Sequence, residues 1–273
     1  MSITFAQVEA GTPLEPFTLA ISAAANDRYW DGAGIDHPLR RAGALYPLIA
    51  ANLTVLTFAN LCADPMIQSR QRLVCHRRVD APATLRTTGV VSERYERRGR
   101  TYIVVEMEIT SEDVALWTST VVFTPVAEME QAQPAQSGRD ETVKRTRMRP
   151  ETPAEAMRRT LHVTEDLIRR YSRRGNFHSE QATSETLGLP GLVAQGTQVT
   201  GPAYGLLLDA WAEDFLAHGW LDVRFVGMTL AGDTVTAAVT TNDTDAAIEI
   251  LNDATTVVVG HAAIARGAPS TRL

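Results

Sequence analysis

The sequence contains two long apolar segments, one in each half of the chain, that are apolar on nearly every side. Residues 47–61 carry Leu, Ile, Val, Ala or Phe at most positions, and residues 195–216 form a similar run. A helix without a polar face has to be buried all round, because no side of it can face water. Each segment therefore predicts a central helix that other elements must cover.

Strand-like stretches follow each apolar segment, with the alternation of apolar and polar residues that is typical of β-strands. They are residues 72–79, 84–95, 102–110 and 115–125 in the first half, and residues 220–230, 234–241, 246–252 and 255–265 in the second. Residues 97–100, Arg-Arg-Gly-Arg, supply a hairpin turn. A curved antiparallel sheet wrapped round each helix is the compact way to bury it.

The two halves are duplicates in outline. Residues 45–52 align with residues 189–196, and the same offset pairs Phe17 with Leu161 and Asp36 with Glu180. A repeat of this length indicates a duplicated domain rather than a solenoid. We therefore expect an α+β double hot-dog, with one half at residues 1–127, a polar linker at 128–152 and a second half at 153–273.

Composition narrows the class of protein. The chain has 273 residues, of which 44% are hydrophobic and 21% charged, and a net charge of -6, so it is a folded protein without the charge of a nucleic-acid binder. It lacks a leader-like N-terminus and an apolar stretch long enough to span a membrane, which predicts a cytoplasmic protein with no membrane partner. The two cysteines, Cys62 and Cys75, lack the spacing of a metal or redox site.

The most informative motif lies in the second half. Asn176-Phe-His178-Ser-Glu180 is followed by Gly188-Leu-Pro-Gly-Leu-Val-Ala-Gln-Gly196. This order resembles the signature of MaoC-like (R)-specific enoyl-thioester hydratases and type 2 hydroxyacyl-thioester dehydratases. In that family an Asp-x-Asn-Pro-x-His-x-Asp loop precedes a Gly-x-x-Gly/Pro-x-x-x-x-His-Gly turn. With tandem hot-dog members of the family, the resemblance extends over residues 12–127 and 153–267.

The resemblance implies a lyase that acts on an enoyl or 3-hydroxyacyl thioester of CoA or an acyl carrier protein, without cofactor or metal. His178 would be the catalytic imidazole, a side chain that can take and give a proton near neutral pH. Gly196 would offer its backbone N–H to the thioester carbonyl at the start of the buried helix. Asn176 would belong to the substrate-binding loop.

The sequence departs from the family pattern at three positions, one of which is Asn176, which lies one place from the family's Asn. Arg173 stands where the family has its acid, five residues before the histidine, and could instead bind a substrate carboxylate. Gln195 stands where the family has a histidine, and it keeps hydrogen-bonding capacity without titrating. Glu180 is the candidate to supply the missing carboxylate.

The first half offers a rival site in the corresponding loop, where Asp31, Asp36 and His37 combine two carboxylates with an imidazole. Asn52 occupies the helix-start position that Gly196 has in the second half. The alternative interpretation is an ordered turn, with Tyr29 and Trp30 packed as a lid over the groove between the halves.

Three functions remain open from the sequence. The first is hydration or dehydration of an acyl thioester. The second is a related activity that does not need the lost acid, such as double-bond isomerisation, conjugate addition or cyclisation. The third is a non-catalytic acyl or small-molecule binding protein. A homodimer is possible for each of them.

Overall fold

The computed structural model describes residues 2–130, 155–172, 175–253 and 255–264. The first half has five strands and four α-helices, in the order β1 Pro13–Ile21, α1 Ala23–Gly32, α2 Pro38–Arg41, α3 Ile49–Leu61, β2 Met66–Cys75, β3 Ala83–Arg97, β4 Arg100–Ser111, β5 Val114–Pro125 and α4 Ala127–Glu130. The second half follows with β6 Met157–His162, α5 Glu165–Tyr171, α6 Gln181–Thr186, α7 Gly196–Val199, α8 Gly201–His218, β7 Gly219–Phe225, β8 Thr234–Thr241, β9 Asp245–Asn252 and β10 Thr255–Ile264.

The ten strands form one antiparallel sheet in the order β1-β3-β4-β5-β2-β7-β10-β9-β8-β6. Read from its own outer edge, the second half repeats the strand order of the first. The halves join where β2 pairs with β7, from Arg70 opposite Arg224 to Val74 opposite Trp220. The α+β double hot-dog expected from the sequence is confirmed.

The two central helices, α3 and α8, pack against the sheet, as their apolar composition requires. Helix α3 contacts all five strands of the first half, and α8 contacts all five of the second as well as β2. Leu53 and Phe58 of α3 are buried, and each contributes about 1.5–3 kcal/mol through the apolar surface it removes from water. Burial of the two helices therefore holds each half of the sheet in place.

Local hydrogen bonds and turn residues define several boundaries. Ser22 caps α1 by accepting a hydrogen bond from the Ala25 N–H, and Thr164 caps α5. The turn between β3 and β4 is at Arg98 and Gly99, which both have positive φ, as the two central residues of a type I′ hairpin turn require.

Two strands differ from their predicted bounds. Strand β2 begins at Met66 and ends at Cys75, earlier than the predicted 72–79, and β7 ends at Phe225, earlier than the predicted 220–230. The ends of β2 pair with β5 of the same half, and the end of β7 pairs with β10. Alternation within one strand does not record where its partners begin and end.

The apolar segment at residues 195–216 is divided into two helices next to Gly201-Pro202. Helices α7 and α8 meet at Thr200, which has helical φ and ψ, and Pro202 lies in the first turn of α8, where a proline is tolerated. The distorted residue within α8 is Ala212, with φ 45° and ψ -122°.

The predicted domain bounds stay predictions, since residues 131–152 of the expected linker lie outside the described residues. None of the described helices combines the length and apolar character needed to cross a membrane.

Candidate active site

A cavity of about 620 Å³ lies between the two halves. The first half contributes one face of α3 and the beginning of β2, and the second half contributes the loop before α6, the start of α7 and the segment after β7. Because both halves supply walls, neither half could form this cavity alone.

His178 is fixed in the cavity wall by its backbone and its side chain. The Asn176 Oδ1 atom accepts hydrogen bonds from the His178 and Ser179 N–H groups, at 3.0 and 3.2 Å. The His178 Nδ1 atom lies 2.6 Å from the Val193 carbonyl oxygen. A carbonyl oxygen can only accept, so Nδ1 carries the proton and Nε2 is left as an unprotonated acceptor.

The environment keeps the His178 imidazole neutral. Burial lowers the pKa of His178 to about 4, and the hydrogen bond to Val193 opposes this shift. At neutral pH the side chain is therefore a base whose free nitrogen is already deprotonated.

Gly196 begins helix α7 and packs against an aromatic ring. A Cβ atom at this position would lie 2.5 Å from the Cε1 atom and 2.7 Å from the Cζ atom of Phe225, closer than real Cβ contacts allow. The first N–H groups of an α-helix have no partner within the helix, and its dipole favours negative charge there. Because residue 196 is glycine, the Phe225 ring can pack against the start of α7 while both residues line the cavity.

Gln195 immediately precedes this helix end. Its Nε2 atom donates a hydrogen bond to the Ser172 hydroxyl at 3.2 Å. This contact ties the end of α5 to the beginning of α7; Gln195 lines the cavity, whereas Ser172 lines a neighbouring surface recess.

First-half residues also contact the part of the second half around Gly196. The Asn52 Oδ1 atom accepts a hydrogen bond at 3.1 Å from the hydroxyl of Thr197, the residue after Gly196. Tyr29 meets Tyr171 edge to face, with 5.4 Å between ring centroids, and both rings line the cavity. The sequence offset that pairs Asn52 with Gly196 was a signal for this contact. Tyr29 was expected over the groove between the halves, whereas nothing in the sequence indicated Tyr171, and Trp30 is fully buried and does not line the cavity.

From Asn52 the cavity follows α3 towards its C-terminal end. Val55, Leu56 and Ala59 line this part, and Cys62 lies beyond the helix. At 1.5 Å per residue, the distance along the axis from Asn52 to Cys62 is about 15 Å. The side chains that line the cavity are therefore polar near Gly196 and apolar along α3.

The two remaining second-half candidates are Glu180 and Arg173. Glu180 is exposed at the start of α6 and lies in a surface recess with Arg28, Arg169 and Arg170, outside the walls of the cavity. Arg173 lies outside the described residues. Of the residues expected from the sequence, the cavity brings together Asn176, His178, Gln195 and Gly196.

The rival first-half residues have structural partners instead. Asp31 pairs with Arg40, and Asp36 pairs with Arg41. The His37 Nδ1 atom caps α2 by accepting the Leu39 N–H at 3.1 Å. None of Asp31, Asp36 and His37 lines the inter-half cavity, and burial lowers the pKa of His37.

Metal-ligating side chains do not cluster in the part of the chain that the structure describes: no group of three or more His, Cys, Asp or Glu residues there could hold a metal ion. Cys62 and Cys75 are both free and buried, and burial raises the pKa of each thiol.

Solved structures share this fold at low sequence identity. HtdX of Mycobacterium tuberculosis superimposes with a TM-score of 0.67 and 13% identity, covering 92% of this chain and 100% of that one. A MaoC-like dehydratase from Phytophthora capsici gives 0.72 and 13%, covering 94% and 97%. An acyl-ACP thioesterase from Bacteroides thetaiotaomicron gives 0.53 and 10%, covering 92% and 97%. No protein-family model and no curated protein matches the sequence.

Proposed function

We propose that this chain is an acyl-thioester hydratase or dehydratase that acts on enoyl or 3-hydroxyacyl thioesters of CoA or a carrier protein. One observation carries the proposal: the neutral His178 imidazole and the open helix end at Gly196 face a single cavity that continues along an apolar helix face. A base, an anion-stabilising site and an acyl-sized groove are the parts this chemistry needs.

Each part has a defined task in the reaction. In the dehydration direction, the His178 Nε2 atom removes the proton from C2 next to the thioester carbonyl. The N–H groups at the start of α7 stabilise the negative charge that develops on the carbonyl oxygen. In the hydration direction, the protonated imidazole returns its proton to C2 as water adds to C3. The acyl chain lies along Val55, Leu56 and Ala59.

Turnover of enoyl-CoA and 3-hydroxyacyl-CoA substrates of increasing length tests the proposal. His178→Ala should lower kcat by about 10²–10⁴-fold, as loss of a general base does. The matched control is His37→Ala, which removes the buried first-half imidazole and should leave turnover near the wild-type rate.

The same assay separates the alternatives. Release of free CoA without change at C2 and C3 would indicate a thioesterase, and migration of the double bond would indicate an isomerase. Substrate binding without turnover would indicate a binding protein. Equal hydration rates for the wild type and His178→Ala would refute the proposed site.

A further inference from the structure

The proposed site has a base in His178. The carboxylate in the described part of the cavity wall, Asp64, follows the C-terminal end of α3, the opposite end of that helix from Asn52, and accepts the Phe5 N–H. Glu180 is exposed outside the cavity. Loss of water from a 3-hydroxyacyl thioester also needs a proton donor for the departing oxygen, because hydroxide is a poor leaving group. A second proton-carrying group must therefore face the same cavity.

Tyr29 on α1 shares the cavity wall with residues that contact both sides of Gly196. On one side, it lines the cavity together with Asn52, whose Oδ1 atom accepts the hydroxyl of Thr197. On the other side, its ring packs edge to face on Tyr171, which precedes Ser172, the partner of Gln195. The packing on Tyr171 holds the Tyr29 ring in this part of the cavity.

The phenol of Tyr29 can serve as a proton donor at neutral pH. Burial raises the pKa of Tyr29, which leaves the phenol protonated and able to donate at neutral pH. The ring itself lines the cavity.

We propose that Tyr29, a first-half residue, is the general acid that binds the C3 oxygen of the substrate opposite His178. This inference rests on the proposed function. In dehydration, His178 Nε2 takes the C2 proton, and the electrons of that C–H bond form the C2–C3 double bond. The C3–O bond breaks as its oxygen takes the Tyr29 proton and leaves as water. The proton on His178 then returns to the phenolate through water.

Tyr29→Phe tests this role because it removes the hydroxyl and keeps the ring that packs on Tyr171. We expect kcat for dehydration to fall by about 10²–10⁴-fold, while KM for the 3-hydroxyacyl thioester rises by at most about 10-fold. Tyr46→Phe is the matched control, since the Tyr46 hydroxyl is buried in the same aromatic cluster, lacks a hydrogen-bond partner and lies outside the cavity wall. A wild-type kcat in Tyr29→Phe, with hydration lost in His178→Ala, would overturn the inference and leave the proposed function standing.

A binding measurement tests the same contact without turnover. In a His178→Ala background, Tyr29→Phe should raise the Kd of 3-hydroxybutyryl-CoA by roughly 3- to 10-fold, the value of one hydrogen bond, and leave that of butyryl-CoA unchanged. The Tyr46→Phe control should change neither Kd. Equal effects on both ligands would overturn the inference, even if the wild type proved inactive on every thioester.

Discussion

Asn52 and Thr197, one from the first turn of each central helical segment, share a buried hydrogen bond between the Asn52 Oδ1 atom and the Thr197 hydroxyl at 3.1 Å. The two residues are only 7% and 1% exposed. The helix that starts the proposed oxyanion site in one half is thus positioned by a side chain of the other half. Because both halves belong to one chain, this contact does not depend on association of separate subunits.

Removing the donor of this bond should destabilise the protein. Thr197→Val leaves the Asn52 oxygen buried without its partner, so the free energy of unfolding should fall by about 1–3 kcal/mol. The double variant Asn52→Leu/Thr197→Val should lose less than the sum of the two single variants, because the polar pair disappears together. Urea unfolding of all four proteins measures the coupling, and strict additivity would show that the two side chains do not interact.

Gly196 should not tolerate a side chain. In Gly196→Ala the new Cβ would overlap the Phe225 ring, and such overpacking costs about 1–3 kcal/mol. Moving either group would also disturb the N–H groups that stabilise the oxyanion, so kcat should fall together with stability. Gly191→Ala is the control, because nothing lies within 4 Å of a Cβ atom there. Thermal unfolding and turnover of both variants check this, and equal behaviour would contradict the packing argument.

The activity should resist acidification. Since burial lowers the pKa of His178 to about 4, its Nε2 atom stays available as a base over the whole range from about pH 8 to 5. We expect kcat/KM to fall only below about pH 5, with an apparent pKa near 4. An acid limb near 6.5, the ordinary value for histidine, would mean that the imidazole is solvated rather than buried.

The same shift predicts how stability depends on pH. Histidine in the unfolded chain binds its proton near pH 6.5, whereas folded His178 binds it near 4. Between these values the unfolded state binds more protons, so the contribution of His178 to stability is present above about pH 6.5 and is lost as the pH falls towards 4. Urea unfolding at pH 7 and 4.5 should show a smaller loss in His178→Gln than in the wild type.

The joint between the halves carries an ion pair that should contribute to stability. Arg70 on β2 donates through two nitrogens to Asp222 on β7, and their side chains are 33% and 19% exposed. Asp222→Ala should cost about 1–3 kcal/mol, because a bidentate bond to a charged group is lost. Asp36→Ala breaks the exposed pair with Arg41, at 80% and 62% exposure, and should change stability by less than about 1 kcal/mol. Denaturant midpoints of the two variants give the comparison.

Much of the fold was determined by the sequence itself. Segments that are apolar on every side had to become the buried helices α3 and α8, and alternation placed most strands within a few residues of their observed bounds. Ser22, Thr164 and the turn at Arg98 and Gly99 act through their immediate neighbours, so they could be identified without knowledge of tertiary structure. The motif order around His178 likewise placed the candidate base beside the start of a helix.

Tertiary structure decided which side chains share the cavity. Glu180 follows His178 by two residues but is exposed on another surface, because the turn held by Asn176 directs only part of the loop inwards. His37 carries the same imidazole as His178, yet its Nδ1 atom caps α2. Tyr29 and Asn52 come from the opposite half and reach Gly196 only because β2 pairs with β7 and the two helix starts touch. Spacing along a chain encodes local structure, whereas contacts between residues far apart in sequence are set by packing of the whole sheet.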